Sequence, residues 1–529
     1  MKKIILNPFV GKFIKSKRTF FAIVFLVFFN SLIQGYFISQ IDFISPQDTG
    51  LLSITRKIVS PGTFTEAEQE LMEPYKIYPP IYSAICGVIY FFTGDLDGAP
   101  KIYHIIFSSA LIIPVFLISL RLYGRKTAVI SSLLLTFLPA LSITIYYSVR
   151  HISFIFFLYL SLYFILAGDL DNKIKYYGLG GFLLGITYLI REEVLIILFA
   201  VLLVIFLKGL LKKNGRFEGI YKKELVVICL FLPLFLLSSL YTYNSTGKWS
   251  LGGDKKWKYD HFITGQGILD GIKTPDIEYG YKVYGSAEEN NNSILNAIKK
   301  HPKAYFSRII NNFKILFDVL PSPAVIPFYL YLFMGIAFFE LLGNPDRLKC
   351  SIIFIAVIVS FISLWTVVFF VQAKHLVPLV PILAIWISYG IKLTQDKIRM
   401  RNLIYFPSII TLLSLAVIFL TYTKSISEDI PRETKEIGGW LKENTSSADI
   451  IVVPNEWFDE RLYLQYYSRR KVREIPAWMA DFKNGINIKE SIFILKDDQF
   501  NSNDNKLTME IIKIFENINK KIIVYRGVG

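Results

Sequence analysis

Apolar residues in this chain fall in long blocks rather than at the three- and four-residue spacing of an amphipathic surface helix. A helix that crosses a bilayer needs about 20 mostly apolar residues. Roughly eleven segments approach that length: 20–38, 102–120, 127–147, 152–167, 176–190, 194–211, 225–242, 324–342, 350–371, 376–391 and 403–422. The first is expected to stay in the protein as a span, because it lacks a small-residue cleavage site and more spans come after it.

The polar positions between the blocks set the phase. Lys2, Lys3, Lys12, Lys15, Lys17 and Arg18 precede the first block, and Arg121, Arg125 and Lys126 follow the second. Lys173 and Lys175 follow the fourth, Lys208 to Lys223 hold a basic run after the sixth, Arg347 and Lys349 follow the eighth, and Lys392 to Arg401 another run after the tenth. Every second short connection is basic, so the positive-inside rule predicts a cytoplasmic N-terminus and three long outer segments, 39–101, 243–323 and 423–529. Residues 79–93 are apolar as well. Counting them as a span would turn the Arg121–Lys126 connection outward, so Pro79–Thr93 is predicted to be an interfacial or re-entrant helix of the first outer loop.

From about Arg432 the pattern changes. Trp440–Asn444 closes a helical stretch, Ile450–Val453 and Ile492–Leu495 are short β-rich runs, and Met509–Ile518 before Ile522–Tyr525 reads as helix then strand. The expected fold is an α-helical polytopic membrane protein over residues 1–423, with about 11 transmembrane helices plus interfacial helices in the first outer loop. A small extracytoplasmic α/β domain, 424–529, comes after it. The expected location is the plasma membrane, with the C-terminus outside.

Composition agrees with that pattern. The 529 residues are 53% hydrophobic and 19% charged, above the roughly 45–50% apolar share of a globular protein, which argues against a purely soluble enzyme. The net charge of +16 sits mainly in the alternating connections. It is therefore a topology signal rather than a nucleic-acid surface. Cys86, Cys229 and Cys350 show no metal spacing or disulfide framework, and no G-x-x-x-x-G-K-[ST] loop is present. A lipid or solute transporter is an alternative, but neither an inverted repeat nor a matched pair of interrupted helices is evident.

The first outer loop carries Asp42 and Asp48 just beyond the first span. A partly desolvated carboxylate there can take a proton from an attacking hydroxyl; the plainer reading of Asp48 is a solvated loop acid or a helix N-cap before Leu51–Ile58. Other ionisable residues stand at the outer ends of spans: Lys101, Arg150 with His151, Arg191 with Glu192 and Glu193, and Lys374 with His375. Cations there suit an anionic lipid head group through charge-assisted hydrogen bonds, or simply snorkel to the interface. Their shared side favours the first reading for the set.

Several stretches, taken in order, resemble one family. They are Asp48-Thr49-Gly50-Leu51, Tyr78-Pro79-Pro80-Ile81-Tyr82 with Phe91-Phe92-Thr93-Gly94, Arg121-Leu122-Tyr123-Gly124-Arg125, and Gly185-Ile186-Thr187-Tyr188-Leu189-Ile190-Arg191-Glu192-Glu193. Ala297-Ile298 with His301-Pro302, then Lys374-His375-Leu376-Val377-Pro378-Leu379-Val380-Pro381 and Trp440-Leu441-Lys442-Glu443-Asn444-Thr445, complete the order. The pattern is similar to the C-type integral-membrane glycosyltransferases, in the branch of protein O-mannosyltransferases, lipid A aminoarabinose transferases and lipopolysaccharide-core galacturonosyltransferases.

The resemblance implies an inverting hexosyl- or pentosyltransferase that takes a monosaccharide from a polyprenyl-phosphate-linked donor to a lipid, glycan or protein hydroxyl outside the cytoplasm. Asp48 would be the base, and Lys101, Arg191 and Lys374 would meet the donor phosphate. Arg150, His151, Glu192 and His375 form a further group of candidates. No metal, cofactor or nucleic-acid partner is implied, and the C-terminal domain would shape acceptor access without supplying a catalytic group. One departure stands out: where many relatives place an acid after the third span, this chain has Ser148-Val149-Arg150-His151. An inert scaffold of the same fold is the corresponding alternative.

Overall fold

A computed structural model describes residues 17–41, 45–60, 62, 64–210, 218–247, 255–270, 277–398, 405–428, 432–446, 449–454, 458–475, 491–496, 509–517 and 520–527. The chain opens with α1 (Lys17–Ser39), and the first loop then forms α2 (Pro46–Val59), α3 (Glu66–Met72) and α4 (Ile81–Thr93). The bundle continues with α5 (Ala99–Tyr123), α6 (Arg125–Phe137), the short α7 (Pro139–Ser142) and α8 (Thr144–Tyr147), then α9 (Arg150–Asp171), α10 (Ile174–Ile190), α11 (Val194–Leu210) and α12 (Glu218–Thr246). A second long segment folds into α13 (Lys255–Leu269), α14 (Ile277–Tyr284), α15 (Ile294–Lys300) and α16 (Pro302–Val319). The bundle closes with α17 (Tyr331–Gly343), α18 (Pro345–Ser363), α19 (Ala373–Leu376), α20 (Val380–Lys397) and α21 (Phe406–Glu428).

The described residues of each of the eleven apolar segments fall wholly or mostly on these helices. Among the described residues six helices are long and apolar enough to cross a membrane, or seven if the pair Arg125–Phe137 and Pro139–Tyr146, bent by 53°, is one span. The remaining expected spans fall on shorter apolar stretches of 10–17 described residues, α10, α11, Phe328–Gly343 and Phe406–Tyr422. The bend has a local cause: Pro139 has no backbone N–H to continue the α6 ladder, so the helix ends at Phe137. Helix α4, 13 residues long and ended by Gly94 at φ +68°, is too short to span.

Phe20, Phe21, Phe25 and Phe28 of α1 and Leu413, Val417 and Leu420 of α21 are exposed, as lipid-facing side chains are. Where helices meet, small residues bring backbones together. Gly178, Gly181 and Gly185 of α10 face Val226, Leu230, Val227 and Leu234 of α12, and a Cβ on Gly181 would run into the Val227 backbone.

The C-terminal part has its own core of Ile437, Leu441, Ile451, Val453, Leu464, Val472, Ile492, Ile494 and Val524. Helices α22 (Arg432–Asn444) and α23 (Phe458–Ser468) accompany strands β1 (Ile450–Pro454), β2 (Lys471–Ile475), β3 (Ser491–Lys496), β4 (Met509–Asn517) and β5 (Lys520–Gly527) in a sheet of order β2-β1-β3-β5-β4. The first three strands are parallel, while β5 runs antiparallel to both neighbours. Where a helix is expected over Met509–Ile518, Met509–Asn517 is thus a strand. Its apolar spacing suits a helix, but the backbone pairs with β5, Ile514 in register with Ile523 and Phe515 with Ile522, and that non-local pairing overrides the local pattern.

This unit rests on the first loop. Arg473 pairs with Glu70 at 2.7 Å, Lys471 with Glu66, and Gln465 donates to the Ala67 carbonyl at 3.0 Å.

Candidate active site

Helix α2 begins at Pro46, with Ser45 in the capping position and Asp48 in the first turn. The N-cap reading of Asp48 is therefore corrected: Ser45 holds that place, and the Asp48 side chain turns to a partner about a hundred residues away. The Val149 N–H donates to Oδ2 at 2.8 Å and Ser148 Oγ donates to Oδ1 at 3.2 Å. Val149 precedes α9, so its N–H is one that a helix start leaves without an intrahelical acceptor, and the helix dipole favours an anion there. Asp48 is fully buried. Burial pushes its carboxyl up to about 6, outweighing the Val149 N–H, the Arg150 charge and the hydroxyls of Ser148 and Ser45. The other loop acid, Asp42, lies outside the described residues.

The departing segment Ser148-Val149-Arg150-His151 is thus the cradle of Asp48, and it carries the contact onward. His151 Nδ1 lies 3.0 Å from the Ser148 carbonyl, and its Nε2 meets Arg191 Nη1. Donation from Nδ1–H to the carbonyl leaves Nε2 to accept from the guanidinium; the tautomer is assigned from that network. Arg191 Nε lies 3.0 and 3.1 Å from the two carboxylate oxygens of Glu193, and Nη2 meets the same group. Arg150 lies over the Tyr78 ring at 4.7 Å. Glu192 pairs with Lys258 of α13 at 2.9 Å; burial, opposed by Lys258, pushes its carboxyl up to about 7.

Lys374 and His375 come from α19. The charges of Lys374 and Arg191 both bear on the imidazoles of His151, His261 and His375. His375 stacks on Trp365 with ring centroids 3.7 Å apart, and its Nδ1 lies 2.9 Å from the Phe370 carbonyl. His261 of α13 is held down to about 4, by burial first and then by the Lys374 charge, and so is neutral at pH 7. Lys101 is placed differently: its Nζ donates to the Ile41 carbonyl just beyond α1. A small cleft lined by Tyr78, Pro79, Tyr188, Arg191, Glu192 and Thr242 opens beside this network.

The structure therefore brings Asp48, Arg150, His151, Arg191, Glu192 and Glu193 into one connected site, with Lys374 and His375 electrostatically beside it. Sequence reading missed Lys258, His261, Arg308 and Asn312, which sit on the second long segment with no local motif to mark them. Among the described residues no three His, Cys, Asp or Glu side chains converge as a metal set.

Residues 78–238 match the dolichyl-phosphate-mannose-protein mannosyltransferase family. The chain superposes on ArnT from Cupriavidus metallidurans bound to undecaprenyl phosphate with a TM-score of 0.53, at 12% identity over 95% of this chain and 97% of that one. Its fold is that of the C-type integral-membrane glycosyltransferases. The archaeal oligosaccharyltransferase AglB from Archaeoglobus fulgidus, in complex with an inhibitory peptide and a dolichol-phosphate, superposes with a TM-score of 0.54 at 13% identity, over 87% of this chain and 65% of that one. An Archaeoglobus fulgidus oligosaccharyltransferase in complex with Zn and sulfate gives 0.54 at 14% identity, over 85% and 62%. No curated protein matches the sequence significantly. The resemblance read from the motifs is borne out at the level of this C-type superfamily, and the chain is a multi-pass membrane protein.

Proposed function

We propose that this C-type protein is an inverting membrane glycosyltransferase. Asp48 takes the proton of an acceptor hydroxyl as that oxygen attacks the anomeric carbon of a polyprenyl-phosphate-linked monosaccharide. The bond from that carbon to the phosphate oxygen breaks in the same displacement, and polyprenyl phosphate leaves with the electron pair. The observation that carries the reading is the buried Asp48 carboxylate, held by Val149 and Ser148 and tuned to about 6. That value lies near the operating pH, where a base is most effective.

Arg191 and Lys374 supply positive charge where the leaving phosphate gains negative charge, the kind of preorganised electrostatics that lowers such barriers. Glu193 occupies the guanidinium fork of Arg191, and a phosphate arriving there shares or replaces that carboxylate. Lys101, at the Ile41 carbonyl, is proposed as a third donor contact. The lipid-bound states of ArnT and AglB support a donor of this class for a chain of their fold. The acceptor is a lipid, glycan or protein hydroxyl outside the cytoplasm, and the domain from 424 onward shapes its access.

The test is a transfer assay with Asp48→Asn in the full-length protein, beside comparison of lipid-linked sugars and glycoconjugates with and without the gene. Transfer should fall about 10²–10⁴-fold, with expression near normal. An Asp48→Asn protein with wild-type transfer would remove the base role, and unchanged glycoconjugates would favour a transporter or an inert scaffold.

A further inference from the structure

Between α18 and α19 the backbone leaves the helix: Leu364–Val368 forms a π turn, and Phe369 to Gln372 have no helical pattern before Ala373. Carbonyls released by such a break need partners, because nothing in hydrocarbon would satisfy them. They find them on α16 of the second long segment. The Phe369 carbonyl accepts from Arg308 Nε at 3.1 Å, Arg308 Nη2 at 2.9 Å and Asn312 Nδ2 at 3.0 Å. Asn312 Nδ2 also reaches the Thr366 carbonyl at 3.0 Å, and the Val371 N–H donates to its Oδ1 at 3.2 Å. Both side chains are fully buried.

The clamp is braced from α13. The Arg308 guanidinium lies over the Phe262 ring at 4.2 Å, and any Cβ on Gly265 would collide with the Phe370 ring and approach Arg308 Nη2 to 2.8 Å. Lys374 and His375 stand directly after the clamped link in the chain. The link is also tied to His375 from its own side, since the Phe370 carbonyl lies 2.9 Å from His375 Nδ1.

We infer that Arg308 and Asn312 are positioning residues that fix the 369–372 link and thereby aim Lys374 at the donor phosphate. This rests on the proposed role of Lys374 in binding that phosphate. Asn312 suits the task because one planar amide both donates and accepts. It therefore holds two carbonyls and one N–H of the same bend. Arg308 adds a two-point fork that a lysine cannot reproduce.

Binding of undecaprenyl phosphate to the full-length protein in lipid nanodiscs tests this, with undecaprenol as the probe that lacks the phosphate. Lys374→Ala should weaken undecaprenyl phosphate binding about 10- to 100-fold, the usual range for loss of one charge-assisted partner. Asn312→Ala should weaken it about tenfold, and Arg308→Lys severalfold. The Asn312→Ala/Lys374→Ala double variant should bind no more weakly than Lys374→Ala alone, because one acts through the other. In transfer assays Asn312→Ala should raise the donor KM with kcat little changed, and undecaprenol binding should be the same in all variants.

Normal affinity in Asn312→Ala and Arg308→Lys, with Lys374→Ala impaired, would overturn the inference while leaving the phosphate site standing. Full additivity in the double variant would overturn it too. Normal affinity in Lys374→Ala would remove the phosphate role of Lys374 and this inference with it. Should Asn312→Ala fail to fold, Arg308→Lys, which keeps the buried charge, carries the test.

Discussion

At the scale of single residues, Asp48 shows what a sequence can and cannot say. Its position after the first span and its match to a family acid were legible. Its partners were not, because Ser148 and Val149 are a hundred residues away and act through a hydroxyl and a backbone N–H that no motif encodes. The same holds for Arg308 and Asn312, whose roles come from a break in a distant helix. The tuned carboxyl gives a pH prediction. A base must be unprotonated, so kcat/KM should rise with pH through about 6 and level off above it, and the Asp48→Asn residual rate should lack that limb. Stability responds to pH in the opposite sense: with a folded value near 6 against an ordinary 3.8, burial favours the neutral acid. That contribution is present below 3.8 and is lost as pH rises through 6. Asp48→Asn, neutral at every pH, should therefore match or exceed wild-type thermal stability at pH 7, and a markedly lowered Tm would mean that the carboxylate is structural.

Among elements, long apolar blocks were the most readable feature, because a span must satisfy its backbone internally and so announces itself by composition alone. The shorter apolar helices were legible as apolar windows too, whereas Met509–Ile518 was misread because the pairing of Met509–Asn517 with β5 is a non-local fact. The contact of α10 with α12 depends on three glycines that are otherwise helix-weakening. Gly181→Leu should force the two helices apart at the Val227 backbone, a small-to-large change of the kind that costs about 1–3 kcal/mol or more. The expected outcome is a lower Tm in detergent, with a milder loss for Gly178→Ala, whose neighbours are the ends of the Val226 and Leu230 side chains. Equal tolerance of both would show that this seam is loosely packed.

Across the whole molecule, the three long segments meet at one end of the bundle. The C-terminal sheet unit pairs with the first loop through Arg473 and Glu70, and α13 of the second segment pairs with Glu192 beside Arg191. The Lys and Arg alternation predicts that this end faces away from the cytoplasm. Single cysteines at Glu288 and Glu443, both exposed, should label with an impermeant maleimide in intact cells. Labelling only after the membrane is opened would invert the phase and place the Asp48 site inside.

The brevity of several apolar helices has a consequence for the surrounding lipid. Helix α10, at 17 residues, is about 25 Å long at 1.5 Å per residue. A hydrocarbon slab of about 30 Å is expected to thin where it meets this helix. Arg191 caps this helix, so thinning there is expected to bring the head-group plane toward the guanidinium beside the proposed donor entrance. Hydrophobic mismatch then becomes a determinant of turnover. Proteoliposomes of short-chain phosphatidylcholines should support faster transfer than thick, long-chain ones, and a rate indifferent to bilayer thickness would mean that the annulus around α10 is undeformed.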